Sequence, residues 1–251
     1  MKVNLFVMTF CVALSGFALA QDDQGNQGNS DNNQAGSSDN QGGCAIAMSV
    51  VNTVQSELAT VVTMNNGAIF GQILPGPNRM WSAVVDRQGV LCSVIKTGDA
   101  WPGSRAIAIA KASTANGFSN DALALSTANL YAATQPGGSL YGLNNSNPFN
   151  PEFLPQGSGV GEVPGGVITF GGGVALYQNG GVIGGLGLSG DSACADHAIA
   201  FRMRALAGLA PPVGVAGEGP SGTDNILYAP VNTTPTGFQH PHCFPAIDIT
   251  P

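Results

Sequence analysis

The order of apolar and polar positions divides the chain into periodic segments separated by turn-forming runs. From Ala45 to about Met64, the residues Ile46, Val50, Val51, Val54, Leu58, Val61 and Val62 recur at steps of three and four. That spacing predicts one amphipathic helix. Met80 to Asp86 and Val90 to Thr97 follow as β-branched runs, and Arg87-Gln88-Gly89 between them predicts a hairpin with glycine in its turn. Trp101-Pro102-Gly103 breaks the second strand, and Ser104 is the cap candidate for a helix through Ile107, Ile109 and Lys111 to about Asn116. A further helix is predicted over Asp121 to Ala133, with Ser119, Asn120 and Asp121 as its caps. Residues 135–165 are rich in Pro, Gly and Asn and read as a long loop, of the kind that is usually functional or mobile.

A second hairpin is predicted from Val167 to Gln178 and Val182 to Ser189, joined by Asn179-Gly180-Gly181. Its strands carry Gly171, Gly172, Gly173, Gly184, Gly185 and Gly187, so something is expected to pack against bare backbone there. Ala198, Ile199, Phe201, Met203, Leu206 and Leu209 then mark a final helix over Ala193 to Leu209, started by Asp191 or Ser192 and ended near Pro211. The remainder, 211–251, is a Pro-rich tail expected to pack on the domain, with one strand candidate at Ile226 to Ala229. The order helix, hairpin, two helices, hairpin, helix specifies an α/β (α+β) sandwich built on an antiparallel sheet, in a single domain.

Composition narrows the classes. The chain of 251 residues holds 36 Gly and 16 Pro, yet only 9% of positions are charged, against about a quarter in an ordinary domain. The glycines follow no G-X-Y period and the chain has no sustained heptads, which excludes collagen and a long coiled coil. A net charge of −7 and the absence of any Lys/Arg cluster leave no electrostatic basis for binding nucleic acid.

Part of that acidity belongs to the leader. Residues 1–20, with Lys2, an apolar run from Leu5 and Ala18-Leu19-Ala20 before Gln21, read as a secretory signal peptide rather than a membrane span. Residues 21–43 are almost wholly Gln, Asn, Asp, Gly and Ser and are expected to be a disordered polar leader. The chain is therefore expected to be secreted or periplasmic. Four cysteines then remain, Cys44, Cys92, Cys194 and Cys243, and an even number in an exported chain predicts two disulfides with three pairings open.

Several motifs compete with plainer explanations. Gly185-Leu186-Gly187-Leu188-Ser189-Gly190 matches G-x-G-x-x-G, but it starts inside a hairpin strand and lacks the βαβ context of a dinucleotide site. Ser93-Val-Ile-Lys96 matches S-x-x-K in a strand, where the two side chains point to opposite faces. His197, beside Asp196 and one turn into the last helix, is either a structural histidine or a ligand. His240-Pro-His242-Cys243 offers nitrogen and sulfur donors to a transition metal unless Cys243 is in a disulfide. Arg105 and Lys111 are two of few cations, either solvated or binding an anionic group.

Three separate stretches together resemble a known family. They are Trp81-Ser-Ala-Val-Val-Asp-Arg-Gln-Gly-Val-Leu-Cys92, Trp101-Pro-Gly-Ser-Arg-Ala-Ile-Ala-Ile-Ala-Lys-Ala-Ser-Thr-Ala115, and Gly184-Gly-Leu-Gly-Leu-Ser-Gly190 with Asp196-His-Ala-Ile-Ala200. They resemble the GlcG/HbpS-like haem-binding family over roughly 44–210. Gln135-Pro-Gly-Gly-Ser-Leu-Tyr-Gly142 and the His240 to Cys243 tail look like its longer, exported branch. The resemblance implies a profilin-like domain, a central antiparallel sheet flanked by helices, that forms homo-oligomers. Some members are extracellular haem or iron binders, others are fused to cobalamin-related enzymes, and many have no established activity. It further implies haem near the glycine-rich hairpin, with Gly185 and Gly187 admitting a flat ring, His197 as candidate axial ligand, acidic Asp191 and Asp196 beside it, and Arg105 or Lys111 meeting propionates.

The first expectation is therefore an exported, non-enzymatic tetrapyrrole-binding protein. An enzyme acting on a small organic molecule with His197 as general base, and an oligomeric surface or assembly protein without cofactor, are the alternatives.

Overall fold

In a computed structural model, residues 43–64, 79–213 and 218–243 are described, all within one compact unit, Ser38–Pro251. The signal-peptide reading and nearly all of the polar leader lie outside the described residues.

Four strands form one antiparallel sheet in the order β2-β1-β4-β3: β1 (Trp81–Asp86), β2 (Leu91–Lys96), β3 (Gly173–Gln178) and β4 (Gly181–Ser189). The two hairpins meet through their central strands, from Trp81 opposite Ser189 to Asp86 opposite Gly184. Helices cover both faces. α1 (Met48–Met64) and α4 (Ala193–Leu206) lie on one, where Val51, Leu58, Val84, Val174, Leu186, Leu188, Ile199 and Met203 share a core. α2 (Ser104–Gly117) lies on the other, with Ala83, Val85, Leu91, Ala108, Ile109 and Ala112. The chain is thus an α+β domain with a four-stranded antiparallel sheet between helices.

The two-residue period of a strand explains the glycines of β4. Leu186 and Leu188 point to α1 and α4, so Gly185 and Gly187 point to α2. A methyl group on Gly185 would collide with the carbonyl of Ala112, and one on Gly187 with the carbonyl of Ala108. Bare backbone lets α2 lie closer to the sheet than any side chain would permit.

Several predicted elements differ from the structure. The stretch predicted as a helix over Asp121 to Ala133 forms a single turn only, α3 (Tyr131–Thr134). The reason is local competition from short polar side chains. Asn120 Oδ1 accepts from the backbone N–H groups of Ala122 and Leu123, Ser119 Oγ from that of Leu125, and Asn129 Oδ1 from that of Ser126. Instead of coiling, the segment runs along the outer edge of the sheet, where Thr127 exchanges hydrogen bonds with Gly173 and hides an otherwise unpaired strand. The strand predicted from Val167 begins only at Gly173, because Gly171 and Gly172 press against the first turn of α4 and Gly172 has a φ of +126°. Ser104 is the first residue of α2 rather than its cap, which is Gly103. α4 is capped by Ser192, whose side chain accepts from the N–H of Ala195, and it stops at Leu206. Ile226 to Ala229 is no strand; Tyr228 alone bridges to His240.

Two disulfides resolve the open pairing as Cys44–Cys92 and Cys194–Cys243. The first joins the segment preceding α1 to β2, and the second pins the tail to the first turn of α4. The tail is also anchored by a buried two-pronged ion pair, Arg204 to Asp224 at 2.5 and 2.7 Å. Among the described residues no helix is long and apolar enough to cross a membrane.

Candidate functional site

One group of buried polar side chains gathers where α2, the Gly171–Gly173 stretch, the first turn of α4 and the tail meet. Lys111, on the buried face of α2, sends its Nζ to Asp196 at 2.7 Å and to the carbonyl of Leu188 at 2.9 Å, and lies 4.8 Å from the centre of the Phe170 ring. Asp196 Oδ1 accepts from the N–H of Asp191 at 3.0 Å. Both charges are shut away from water. Burial lowers the Lys111 ammonium from its ordinary range despite Asp196, and burial raises the Asp196 carboxyl to about 6 despite Lys111.

His197 sits one residue further on and is completely buried. Burial, above all, pushes its pKa down to about 3, with Asp224 acting in the opposite direction and Arg204 and His240 reinforcing the fall. Its imidazole is therefore neutral at ordinary pH. Neither ring nitrogen makes a hydrogen bond of acceptable geometry; the Asn225 side chain is near enough to raise the pKa slightly but does not reach that geometry. Of the groups that act on this ring, Asp224, Asn225 and His240 belong to the tail, while Arg204 and the neighbouring Phe201 ring belong to α4 itself.

His240 is a buried residue of the tail. Its Nδ1 lies 2.7 Å from the carbonyl of Pro241, while Nε2 lies 3.3 Å from the N–H of Gly171. A carbonyl only accepts and a backbone N–H only donates, so Nδ1 carries the proton and Nε2 the lone pair. Tyr131 packs on the ring with centroids 4.8 Å apart, and burial pulls the pKa of His240 down to about 4. His242 stacks on Tyr228 and reaches the carbonyl of Ala229 at 2.7 Å.

The other predicted site residues have structural partners. Arg105 is buried, 1% exposed, and its guanidinium holds the carbonyls of Phe153 and Ser158, so it fastens the 135–165 loop to α2. Gly185 and Gly187 leave no open face for a ring, because α2 fills it. Sequence reasoning missed Tyr131 and Asp224, and singled out Gly171 only as bare backbone, not as a partner of His240. Asp224 is one of three acids in the Pro-rich tail, with Glu218 and Asp248, and nothing in the sequence set it apart from them. A cleft of about 600 Å³ lies elsewhere on the surface, between residues 132–140 and 234–238, with Leu140 and Phe238 among its walls.

The fold and this centre define an α+β domain in which helices sandwich an antiparallel sheet, and a stapled tail brings the neutral imidazole of His240 to a buried charged pair and the neutral imidazole of His197. Residues 77–205 match the family described as "haem degrading protein HbpS-like", and the chain belongs to that family. It is 36% identical over 118 residues to the corrinoid adenosyltransferase PduO of Citrobacter freundii, a match covering 47% of this chain and 29% of that protein. The chain thus matches less than a third of that relative's length. Among solved structures, the PduOC:haem complex is 27% identical, with a TM-score of 0.47, covering 64% of this chain and 94% of the other. The Klebsiella pneumoniae protein ORFY is 22% identical with a TM-score of 0.48, covering 69% and 98% respectively.

Proposed function

We propose that this protein binds a tetrapyrrole, haem being the first to test, as an exported protein without catalytic turnover. Membership of the HbpS-like family and the likeness to a chain solved with haem support the ligand class. Two disulfides suit the oxidising secretory or periplasmic space. The observation that carries the reading is His197: a buried, neutral imidazole whose ring nitrogens lack good hydrogen bonds is the form of histidine that ligates iron.

The donor fits haem, but the cations do not. Lys111 is committed to Asp196 and Arg105 to loop carbonyls, so propionates would have to face solvent or the tail. Bound haem would supply the iron chemistry, and the imidazole of His197 would be the group of this chain that holds it. Because His197 is wholly buried, haem would reach it only once a covering segment moves, and the tail that carries Asp224, Asn225 and His240 would be that segment.

The enzyme alternative is weaker, since a base whose pKa lies near 3 takes up protons poorly at neutral pH and Asp196 is already held by Lys111. Homo-oligomerisation is part of the same proposal and is measured by the mass of the native protein in solution.

Haem titration followed at the Soret band, for the native and the thiol-reduced protein, tests the proposal. A saturable one-to-one shift is expected in at least one redox state, and it should be lost or displaced in His197→Ala. No shift at stoichiometric haem in either state overturns haem binding. An unaltered shift in His197→Ala keeps haem and removes His197 as ligand.

A further inference from the structure

The second disulfide has an unusual neighbour. Cys194, Cys243 and His240 present their donor atoms within 4.8 Å of one another. The first disulfide has a superficially similar neighbour in Asp86, whose donor atoms with Cys44 and Cys92 lie within the same distance. Their chemistry differs. Both carboxylate oxygens of Asp86 are already engaged, Oδ2 by the N–H of Ala45 and Oδ1 by those of Gln88 and Val90, at 2.8 to 2.9 Å. His240, by contrast, keeps its proton on Nδ1, and its Nε2 lone pair is met only by the long 3.3 Å contact from Gly171.

The sulfur side is equally prepared. Cys194 lies in the first turn of α4, and its backbone N–H points at Cys243 Sγ, 3.0 Å away. A helix N-terminus and an N–H aimed at sulfur both favour a thiolate over a thiol. Cys194 is wholly buried whereas Cys243 is partly exposed, so an attacking thiolate meets Cys243 first.

We infer that Cys194, Cys243 and the Nε2 of His240 form a metal site that exists only when this disulfide is reduced, suited to a borderline or soft ion such as Zn(II) or Cu(I). An external dithiol attacks Cys243 Sγ and expels the Cys194 thiolate; its second sulfur then attacks the mixed disulfide, releasing the Cys243 thiolate and leaving the external dithiol oxidised. Two electrons pass to the protein, and the metal takes the place of the two protons the thiols would otherwise hold. Tetrahedral coordination with Zn–S near 2.3 Å and Zn–N near 2.0 Å sets the donor atoms about 3.5–3.8 Å apart, so side-chain adjustment is enough. Water completes the shell. The tail is then held by a metal instead of a covalent bond, and Nδ1–H to the Pro241 carbonyl keeps the imidazole aimed.

The test needs neither haem nor an activity. The full-length native protein is reduced anaerobically with a phosphine and titrated with Co(II), then with competing Zn(II). A one-to-one complex with thiolate-to-cobalt charge transfer and tetrahedral ligand-field bands is expected. It should persist in Cys44→Ser/Cys92→Ser, vanish in Cys194→Ser/Cys243→Ser, and weaken at least about tenfold in His240→Ala. Differential alkylation of the wild type, read by mass spectrometry, covers the case in which a variant fails to fold. Zn(II) should shield Cys194 and Cys243 but not Cys44 and Cys92. Shielding of the other pair, shielding of none, or affinity indifferent to His240→Ala would each overturn the site.

Discussion

At the scale of single residues the molecule's commitment is to buried polarity in a chain short of charge. Lys111 and Asp196 are buried against each other, so removing one leaves the other an unpaired charge. Asp196→Ala is expected to lower stability by about 3–5 kcal/mol in chemical denaturation, whereas Lys111→Met with Asp196→Leu should recover much of that loss. The histidines add a pH dependence whose sign can be worked out. In the unfolded chain they protonate near 6.5, but folded His197 and His240 wait until about 3 and about 4. Between 6.5 and those values the unfolded chain binds protons that the native chain refuses, so stability falls as pH falls. Asp196 acts oppositely: its folded pKa of about 6 exceeds the unfolded value, so acidification from 6 toward 4 favours the native state. The two histidines outweigh one carboxyl. A net loss on the order of 3 kcal/mol from pH 7 to 4.5 is expected in urea midpoints, and His240→Gln should flatten it; a midpoint unchanged or higher in acid would contradict the neutral, buried histidines. From the sequence His197 and Asp196 were visible as a pair, but the partner of Asp196 was not, because Lys111 lies 85 positions away on another helix.

Elements show where periodicity carries information and where it fails. α1, both hairpin turns, α2 and α4 are legible because each combines an apolar repeat with a turn or cap at its boundary. The stretch from Asp121 to Ala133 has the repeat, yet Ser119, Asn120, Ser126 and Asn129 bind its backbone more favourably than a helix would. The glycines of β4 were legible as a close approach, but not which partner approaches, since the sequence does not say which sheet face a helix will take. The structure assigns that role to α2, and the assignment has a measurable consequence. Gly187→Ala forces a methyl group into the Ala108 carbonyl and should lower stability by about 1–3 kcal/mol or more. Gly103→Ala is the contrasting case: its φ of −67° and ψ of −26° suit any residue, and open space surrounds it. That variant should be neutral or up to about 1 kcal/mol more stable. Equal losses for both glycines in thermal or urea unfolding would remove the close-packing account.

For the whole molecule, the deciding feature is how the tail is secured over the interior. Its first part is held by the Arg204–Asp224 ion pair and by Asn129 donating to the carbonyl of Asn225. Its far end depends on the Cys194–Cys243 bond, with Tyr228, His240 and Pro241 between these anchors. Each disulfide closes a loop of nearly the same length, with separations of 48 and 49 residues, so loop entropy alone would assign both about 4 kcal/mol. Global stability should therefore fall comparably in Cys44→Ser/Cys92→Ser and Cys194→Ser/Cys243→Ser. Local opening should not. Cutting the second bond releases a segment that otherwise meets the domain through few hydrogen bonds, and such a segment opens without global unfolding. Chymotrypsin, under native conditions, should cleave near Tyr228 and Phe238 at least about tenfold faster in Cys194→Ser/Cys243→Ser than in wild type, the factor that 1.4 kcal/mol of local stability confers. The Cys44→Ser/Cys92→Ser protein should be cut there no faster than its overall loss of stability allows. If both variants release the tail at the same rate, the tail is held by its packing and the ion pair, and the buried histidines would be reached by global rather than local opening.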